Sequence, residues 1–468
     1  FDHILVDEFQ DTSVMQFMNL LPLIEESLAR GKRNLIVGDA KQAIYRFRGG
    51  EVSQFAEMPN YIAPEFKQND LVLDRLLQLK ANYEEHILKE NFRSRERLVS
   101  FNNAFFEAAV KTRTDSIQAI FKAHTQLPQA SKPGGYVDVK FLKSNIDDQL
   151  HEAQVLEDIQ ECIADGFKRS EIAILCRTKN HSARMAEFLG EHDIQIISSE
   201  SLLLSSNAGV QFLVALSEWI QDQANYGKLK DLIHYLNKTN RLPGEFEDLL
   251  EKYVLEKADF LKKLADLGYE IKLNELHSKP IYELFESLIR EFRLNENYDA
   301  YLQFFMENVF SFGQKESNNL SDFLAWWYER EDKLSVEIAE EIDAVQILTL
   351  HKSKGLEFPV VIYPYIGNPL GAKTDLMWTK ADALKENISF ALIDYNRELK
   401  DSVFSEAYEN EFEKKQMDLL NETYVALTRA SKRMYLRVAE VSKKVQASKD
   451  QDERNRSLSL LFQESKPA

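Results

Sequence analysis

FDHILVDEFQDT, residues 1–12, is the stretch that decides the fold. Ile4-Leu5-Val6 is a short apolar run ending in Asp7-Glu8, which reads as a buried strand over residues 4–7 with two acids at its tip. Val14, Phe17, Met18 and Leu21 follow at helical spacing, so strand passes into helix. Paired acids at a strand tip suit one chemistry in particular. One carboxylate holds Mg²⁺ and the other draws a proton from water beside a triphosphate. A loop that cradles the phosphates should precede such a strand, yet the strand begins at residue 4.

The 468 residues are enough for several domains with ample core. The composition is that of an ordinary globular chain, 44% apolar and 29% charged, with 11 Pro and 16 Gly. No apolar run approaches the ~20 residues of a membrane span, so no membrane contact is expected. Cys162 and Cys176 lack metal-ligand spacing and imply no disulfide, which suits a reducing, cytoplasmic setting. A net charge of −18 argues against a passive nucleic-acid coat. It leaves room for a nucleic-acid motor whose cations line one groove.

Residues 1–56 read as the later part of an α/β domain, with a second buried strand at Leu35-Ile36-Val37. Residues 57–86 form a connector with a helical stretch around Leu71 to Leu79. A second α/β unit occupies 87–201, with strands expected at Val137–Leu142, Ile172–Cys176 and Ile194–Ile197 and helices between them. From Leu202 to Glu340 only helical periodicity remains, in "FLVALSEWI", "PIYELFESLIREF" and "SDFLAWWYERED". Strands return over 341–441 in "AVQILTL", "FPVVIYPY" and "MYLRV", which makes 202–340 an all-helical insertion. Residues 442–468 read as a mobile polar tail.

Several strand ends carry unusual residue mixtures. "GDAKQAIYRFRGG" (38–50) puts Gln42 where a terminal phosphate can be sensed, and Tyr45 and Phe47 where unpaired bases can stack. "ENFRS" (90–94) sets Arg93 at a strand-to-helix junction. "TLHKSKGLEF" (349–358) is a basic, glycine-containing loop between strands, suited to backbone phosphates. "NETYVALTRA" (421–430) is expected to put Arg429 on a helix, where it could serve as an arginine finger. Taken singly, each has a bland reading: a polar strand end, rim aromatics, a structural histidine, or surface ion pairs of little worth.

Together and in this order they resemble the UvrD/Rep-like branch of superfamily 1 DNA helicases. "VDEFQDT" looks like motif II, "GDAKQAIYRFRGG" like motif III, and "ENFRS" like motif IV, with Phe92 where Tyr is usual. "TLHKSKGLEF" is similar to motif V and "YVALTRA" to motif VI. The wording of "HKSKGLEFPVVI" and "RFRGG" leans toward the RecB/AddA helicase–nuclease relatives. The resemblance implies RecA-like P-loop NTPase lobes, the first incomplete, around the helical insertion. It implies ATP and Mg²⁺ as cofactors, single-stranded and duplex DNA as partners, and a possible second helicase–nuclease subunit.

The roles implied are specific. Asp7 would hold Mg²⁺ and Glu8 would act as general base. Gln10 and Gln42 would couple the γ-phosphate to DNA, Arg93 and Arg429 would reach that phosphate, and Gly355 and Glu357 would complete the nucleotide site. Tyr45, Phe47, Arg48, Thr349 and His351 would contact DNA. The implied activity is ATP-driven 3′-to-5′ movement along single-stranded DNA in repair or recombination.

The family's G-x-x-x-x-G-K-[ST] loop has no match in the sequence. "GNPLGAKT" (367–374) comes nearest, but Ala372 stands where the last glycine is needed and the stretch follows motif V; it reads as a loop after a strand. The expectation is therefore a fragment, with the missing loop before Phe1 and no ATPase activity by itself. The rival is a non-catalytic helicase-like protein that binds DNA or a partner. The presence of Asp7, Glu8, Gln42, Arg93 and Arg429 argues against it, since degenerate relatives lose such groups.

Overall fold

The computed structural model describes all residues except 144–148, 199–202, 295–299, 337–342, 368–374, 381–388, 442, 449–453, 456 and 466–468. The chain divides into two compact units, Phe1–Ile196 with Asp343–Ala468, and Ile197–Ile342. The expected insertion limits, Leu202 and Glu340, and the "GNPLGAKT" loop from residue 368 onward lie outside the described residues.

In the first unit, β1 (Leu5–Val6) pairs in parallel with β2 (Leu35–Ile36), in the register Leu5 to Leu35 and Val6 to Ile36. β1 is shorter than the expected 4–7 because the backbone turns sharply after Asp7, with Glu8 at φ 51°. The helix Val14–Ala29 starts in a capping box, in which the Ser13 hydroxyl accepts from Gln16 N and the Gln16 side chain accepts from Ser13 N. It packs Phe17, Leu21 and Ile24 against Phe9 and against Val72, Leu76 and Leu79 of the helix Asp70–Ala81.

The larger part of the unit has a sheet of its own. β3 (Glu90–Asn91) pairs with β4 (Leu127–Pro128), apart from that sheet. β5 (Tyr136–Leu142), β6 (Ile172–Cys176), β7 (Ile196–Ser198), β8 (Val345–Thr349) and β9 (Phe358–Ile366) are joined in the main sheet by a later strand. Before it come β10 (Leu376–Lys380) and β11 (Phe390–Asp394), an antiparallel pair that sequence reasoning missed. β12 (Ala430–Ala439) then completes a six-stranded sheet in the order β5-β12-β9-β6-β8-β7. The pairs from β5 through β8 run parallel.

β6 is buried along its whole length, as a central strand of a sheet covered on both faces must be. Its residues alternate between two cores. Ala173 and Leu175 face Phe105, Phe106, Leu420 and Leu436, while Ile172, Ile174 and Cys176 face Val155, Ile159 and Leu189. Both cysteines are free and buried. β7 lies two residues beyond the expected start at Ile194.

The reading of 442–468 as a mobile polar tail needs correction at Leu458–Glu464. Leu458–Glu464 is a helix capped by Ser457, and Leu458, Leu461 and Phe462 join the sheet's core. Those three stand at i, i+3 and i+4, so one apolar stripe docks despite the polar context. Phe462 lies 4.4 Å from Phe105, ring centroid to ring centroid.

In the second unit, the named elements from Ala208 to Arg330 are all helical. The helix Ala208–Gln221, capped by Asn207, is buried on nearly every side and forms the unit's centre. Phe285, Phe305, Phe323 and Trp327 from three later helices meet edge to face in the same core. Among the described residues, no helix of the chain is long and apolar enough to cross a membrane.

Candidate active site

The first side of the site is the acidic tip of β1. Asp7 and Glu8 are exposed, and Asp7 Oδ1 accepts from the Glu8 amide at 2.8 Å. Glu8 adopts the left-handed backbone region, a strain of about 1–3 kcal/mol for such a residue. This conformation turns its carboxylate toward Gln10, whose Nε2 donates to Glu8 Oε2 at 2.5 Å. Gln10 is 1% exposed, and its Oε1 accepts from Asp39 N at 3.0 Å. Both ends of that amide are therefore taken by protein partners, so Gln10 orients Glu8 and ties β1 to the tip of β2. The tie requires glycine at position 38, where a Cβ would come within 2.7 Å of Gln10 Oε1 and 3.1 Å of the Phe55 ring.

Gln42 ends a short 3-10 turn capped by Asp39, and its Nε2 donates to Asp39 Oδ2 at 3.1 Å. Its Oε1 faces the other side of the site, where Arg429 Nη2 lies at 3.4 Å. Arg429 follows the helix Ser405–Leu427 and is 1% exposed. Its Nε donates to Val425 O at 2.9 Å, Nη1 to Leu356 O at 3.2 Å, and Nη2 to the Thr428 hydroxyl at 3.0 Å. Burial, and then repulsion from Arg93, bring its pKa down to about 10. Two guanidinium groups close enough to repel each other make a place prepared for an anion.

Arg93 follows β3 in a turn that Asn91 holds, its Oδ1 accepting from Arg93 N at 3.0 Å and Ser94 N at 2.8 Å. The Arg93 guanidinium donates to Thr428 O at 3.1 Å and to Glu357 Oε2 at 3.2 Å. Glu357 is exposed, and Gly355 before it has φ +83°, a turn only glycine takes without strain.

Sequence reasoning missed Lys354, which stands in the same loop and ties several groups of the site together. Its Nζ pairs with Asp11, lies 3.3 Å from Glu8 Oε2 and donates to Gln42 O at 2.8 Å. It also sits 5.3 Å from the centre of the Tyr45 ring. Burial pushes the Asp11 carboxyl up, and the bond from Lys354 holds that rise in check. The doubled lysine of "HKSKG" was the available signal. Tyr424 was missed as well. It is buried, and burial followed by the nearby Asp39 raises its hydroxyl well above the ordinary value.

The residues expected to meet DNA fall together only in part. Phe47 is 68% exposed, with Arg48 stacked 5.5 Å from its ring and 5.4 Å from that of Tyr45. His351 stands edge-on to Phe47 at 5.2 Å, and its carbonyl accepts from the Tyr45 hydroxyl at 3.0 Å. Its Nε2 faces Ile44 O at 3.2 Å and carries the proton there. These four form one aromatic and basic surface. Thr349 is separate from it in accessibility, being 8% exposed at the end of β8.

Residues 86–441 match the model of the UvrD-like helicase C-terminal domain. The chain belongs to the UvrD-like helicase family. Residues 1–63 match the UvrD/REP helicase N-terminal domain as well. Among similar proteins, an ATP-dependent helicase/nuclease subunit from Streptococcus pneumoniae is 27% identical over 93% of this chain and 40% of its own length. Its namesake in Lactococcus lactis is 24% identical over 95% of this chain and 41% of its own. The exonuclease/helicase subunit RexA of Lactococcus lactis is 25% identical over 77% of this chain and 33% of its own. The chain thus spans about two fifths of the length of the first two. The lean toward helicase–nuclease relatives holds.

Proposed function

We propose that this UvrD-like helicase chain is the later part of an ATP-dependent motor that moves along single-stranded DNA, in the 3′-to-5′ direction, during repair or recombination. The observation that carries the reading is the meeting of Glu8 and Gln42 with Arg93, Lys354 and Arg429. The two sets belong to separately cored parts of the chain, so opening or closing between them would make or break the site.

In this reading Glu8 takes the proton of the attacking water, while Arg93 and Arg429 stabilise charge on the transferred phosphate. The Asp7 carboxylate is exposed and its oxygens are hard donors, which fits Mg²⁺. Among the described residues no three His, Cys, Asp or Glu side chains cluster as a metal cage, and Mg²⁺ in such sites takes one or two carboxylates plus phosphate oxygens. When bound, the ion supplies neutralisation of phosphate charge. The phosphate-cradling loop would come from sequence beyond these 468 residues.

The stretch 1–56 would be part of the first motor lobe and 57–86 a connector. Residues 87–201 and 341–441 would form the second lobe, interrupted by 202–340 as a helical subdomain. That every named element from Ala208 to Arg330 is helical among the described residues supports that division. The relatives are named as one subunit of a helicase/nuclease, which supports a partner protein for this chain as well.

The test is strand displacement by the full-length protein on duplexes with a single 3′ or 5′ tail. Unwinding that needs ATP and a 3′ tail is expected, and residues 1–468 alone should show none. Unwinding from 5′ tails only would reverse the direction, and none from either would refute the motor.

A further inference from the structure

Arg46 lies between Tyr45 and Phe47 in sequence, but its guanidinium reaches the helix Ser405–Leu427 instead of the aromatic surface. Nε donates to Asp418 Oδ2 at 2.8 Å, and Nη1 and Nη2 donate to the two Glu411 oxygens at 3.1 Å each. Glu411 and Asp418 are seven residues apart, two helical turns on one face, so a single arginine clamps a long stretch of that face. Burial works against the Arg46 charge, and the two carboxylates more than reverse this, leaving its pKa raised.

A second grip follows on the same helix. Asn421 Nδ2 donates to Ala40 O at 3.3 Å and Ala43 O at 3.0 Å, on either side of Gln42. The helix then ends at Leu427, two residues before Arg429. One continuous rod therefore joins the Arg46–Arg48 turn, which carries the exposed Phe47, to the arginine that approaches Gln42.

We propose that Arg46 is a positioning residue that couples occupancy of the Tyr45–Phe47 surface to the placement of Arg429, by locking the 46–48 turn to the Ser405–Leu427 helix when the two separately cored parts close on each other. The inference rests on the motor reading above. A base settling on Phe47 displaces its turn, the Arg46 clamp carries the displacement to Glu411 and Asp418, and the helix delivers it to Arg429. Arg46 itself would touch neither DNA nor nucleotide.

The experiment compares ATP turnover of the full-length protein with and without oligo(dT), beside Arg46→Met and Arg46→Lys, with oligo(dT) affinity measured separately. For Arg46→Met the expected result is unchanged oligo(dT) affinity, unchanged turnover without DNA, and a DNA-saturated kcat lowered about tenfold, within the usual range of coupling between two sites. Arg46→Lys keeps the charge but loses the fork, so it should recover only part of the stimulation. Joint reversal, Arg46→Glu with Glu411→Arg and Asp418→Arg, should restore stimulation above that of Arg46→Glu alone. Full stimulation in Arg46→Met, or an equal loss with and without DNA, overturns the coupling. A wild-type protein that DNA does not stimulate overturns the motor reading instead.

Discussion

Arg429 Nη2 lies 3.4 Å from Gln42 Oε1, so an arginine at the end of one helix meets a glutamine held by another part of the chain. The contact is long for a hydrogen bond; Nε and Nη1 of Arg429 donate to backbone carbonyls, and Nη2 itself also donates to the Thr428 hydroxyl. The guanidinium is fixed in place, buried, with Nη2 turned toward Gln42. Replacing Arg429 by alanine in the full-length protein should cut DNA-stimulated ATP turnover by ~10³-fold or more, the scale of an arginine finger. Steady-state kinetics check this, and a circular dichroism melt separates lost catalysis from lost folding. A turnover close to wild type would remove Arg429 from the chemistry.

Phe47 offers the opposite case, a large aromatic side chain 68% exposed beside His351 and Arg48. Alanine there should leave the melting temperature unchanged and weaken oligo(dT) binding by ~1–3 kcal/mol, the worth of a stacked base. Fluorescence anisotropy measures it. Unaltered affinity would mean that DNA does not lie on this surface.

Lys354 neutralises Asp11 and Glu8 together, so Lys354→Met should leave Asp11 half-buried without its cation. Asp11 already has its pKa raised by burial, and losing Lys354 should raise it further. For an acid whose folded pKa exceeds the unfolded value, the cost is absent below the unfolded pKa and complete above the folded one. The variant's melting deficit relative to wild type should therefore be smallest near pH ~4 and grow toward pH ~7. A deficit that is constant across this range would show that Lys354 does not compensate Asp11.

The helix Leu458–Glu464 sets a stability prediction. Phe462 is 3% exposed and packs on Phe105, so Phe462→Ala should cost about 3–5 kcal/mol, typical of a buried phenylalanine. Urea unfolding measures it, and a loss under ~1 kcal/mol would return this segment to the status of a tail.

Much of this architecture is legible in the sequence because its signals are local. The β6 run IAILC reads as a covered strand, and the spacing of Val14, Phe17, Met18 and Leu21 announces the helix at Val14. The motif words point to Glu8, Gln42, Arg93 and Arg429, and the structure brings these side chains close together. What the sequence conceals depends on contacts far apart in the chain. Lys354 gains its importance from Asp11, 343 residues earlier, and Arg46 from Asp418, 372 residues later. The motif reading makes Gln10 a nucleotide contact; its bonds to Glu8 and to the Asp39 amide could not be read from those words. The short stripe Leu458, Leu461 and Phe462 is hidden by the polar residues around it.

The central claim is that ATP is hydrolysed at this site with Glu8 as the base and DNA as the activator. Its most direct test is the DNA-dependent turnover of the full-length protein beside Glu8→Gln, which keeps the side chain's size and its capacity to accept from Gln10 but removes its basicity. The account predicts strong stimulation of the wild type by oligo(dT), and a Glu8→Gln turnover lower by ~10²–10⁴-fold with nucleotide affinity retained. A Glu8→Gln protein that hydrolyses ATP at the wild-type rate would contradict it.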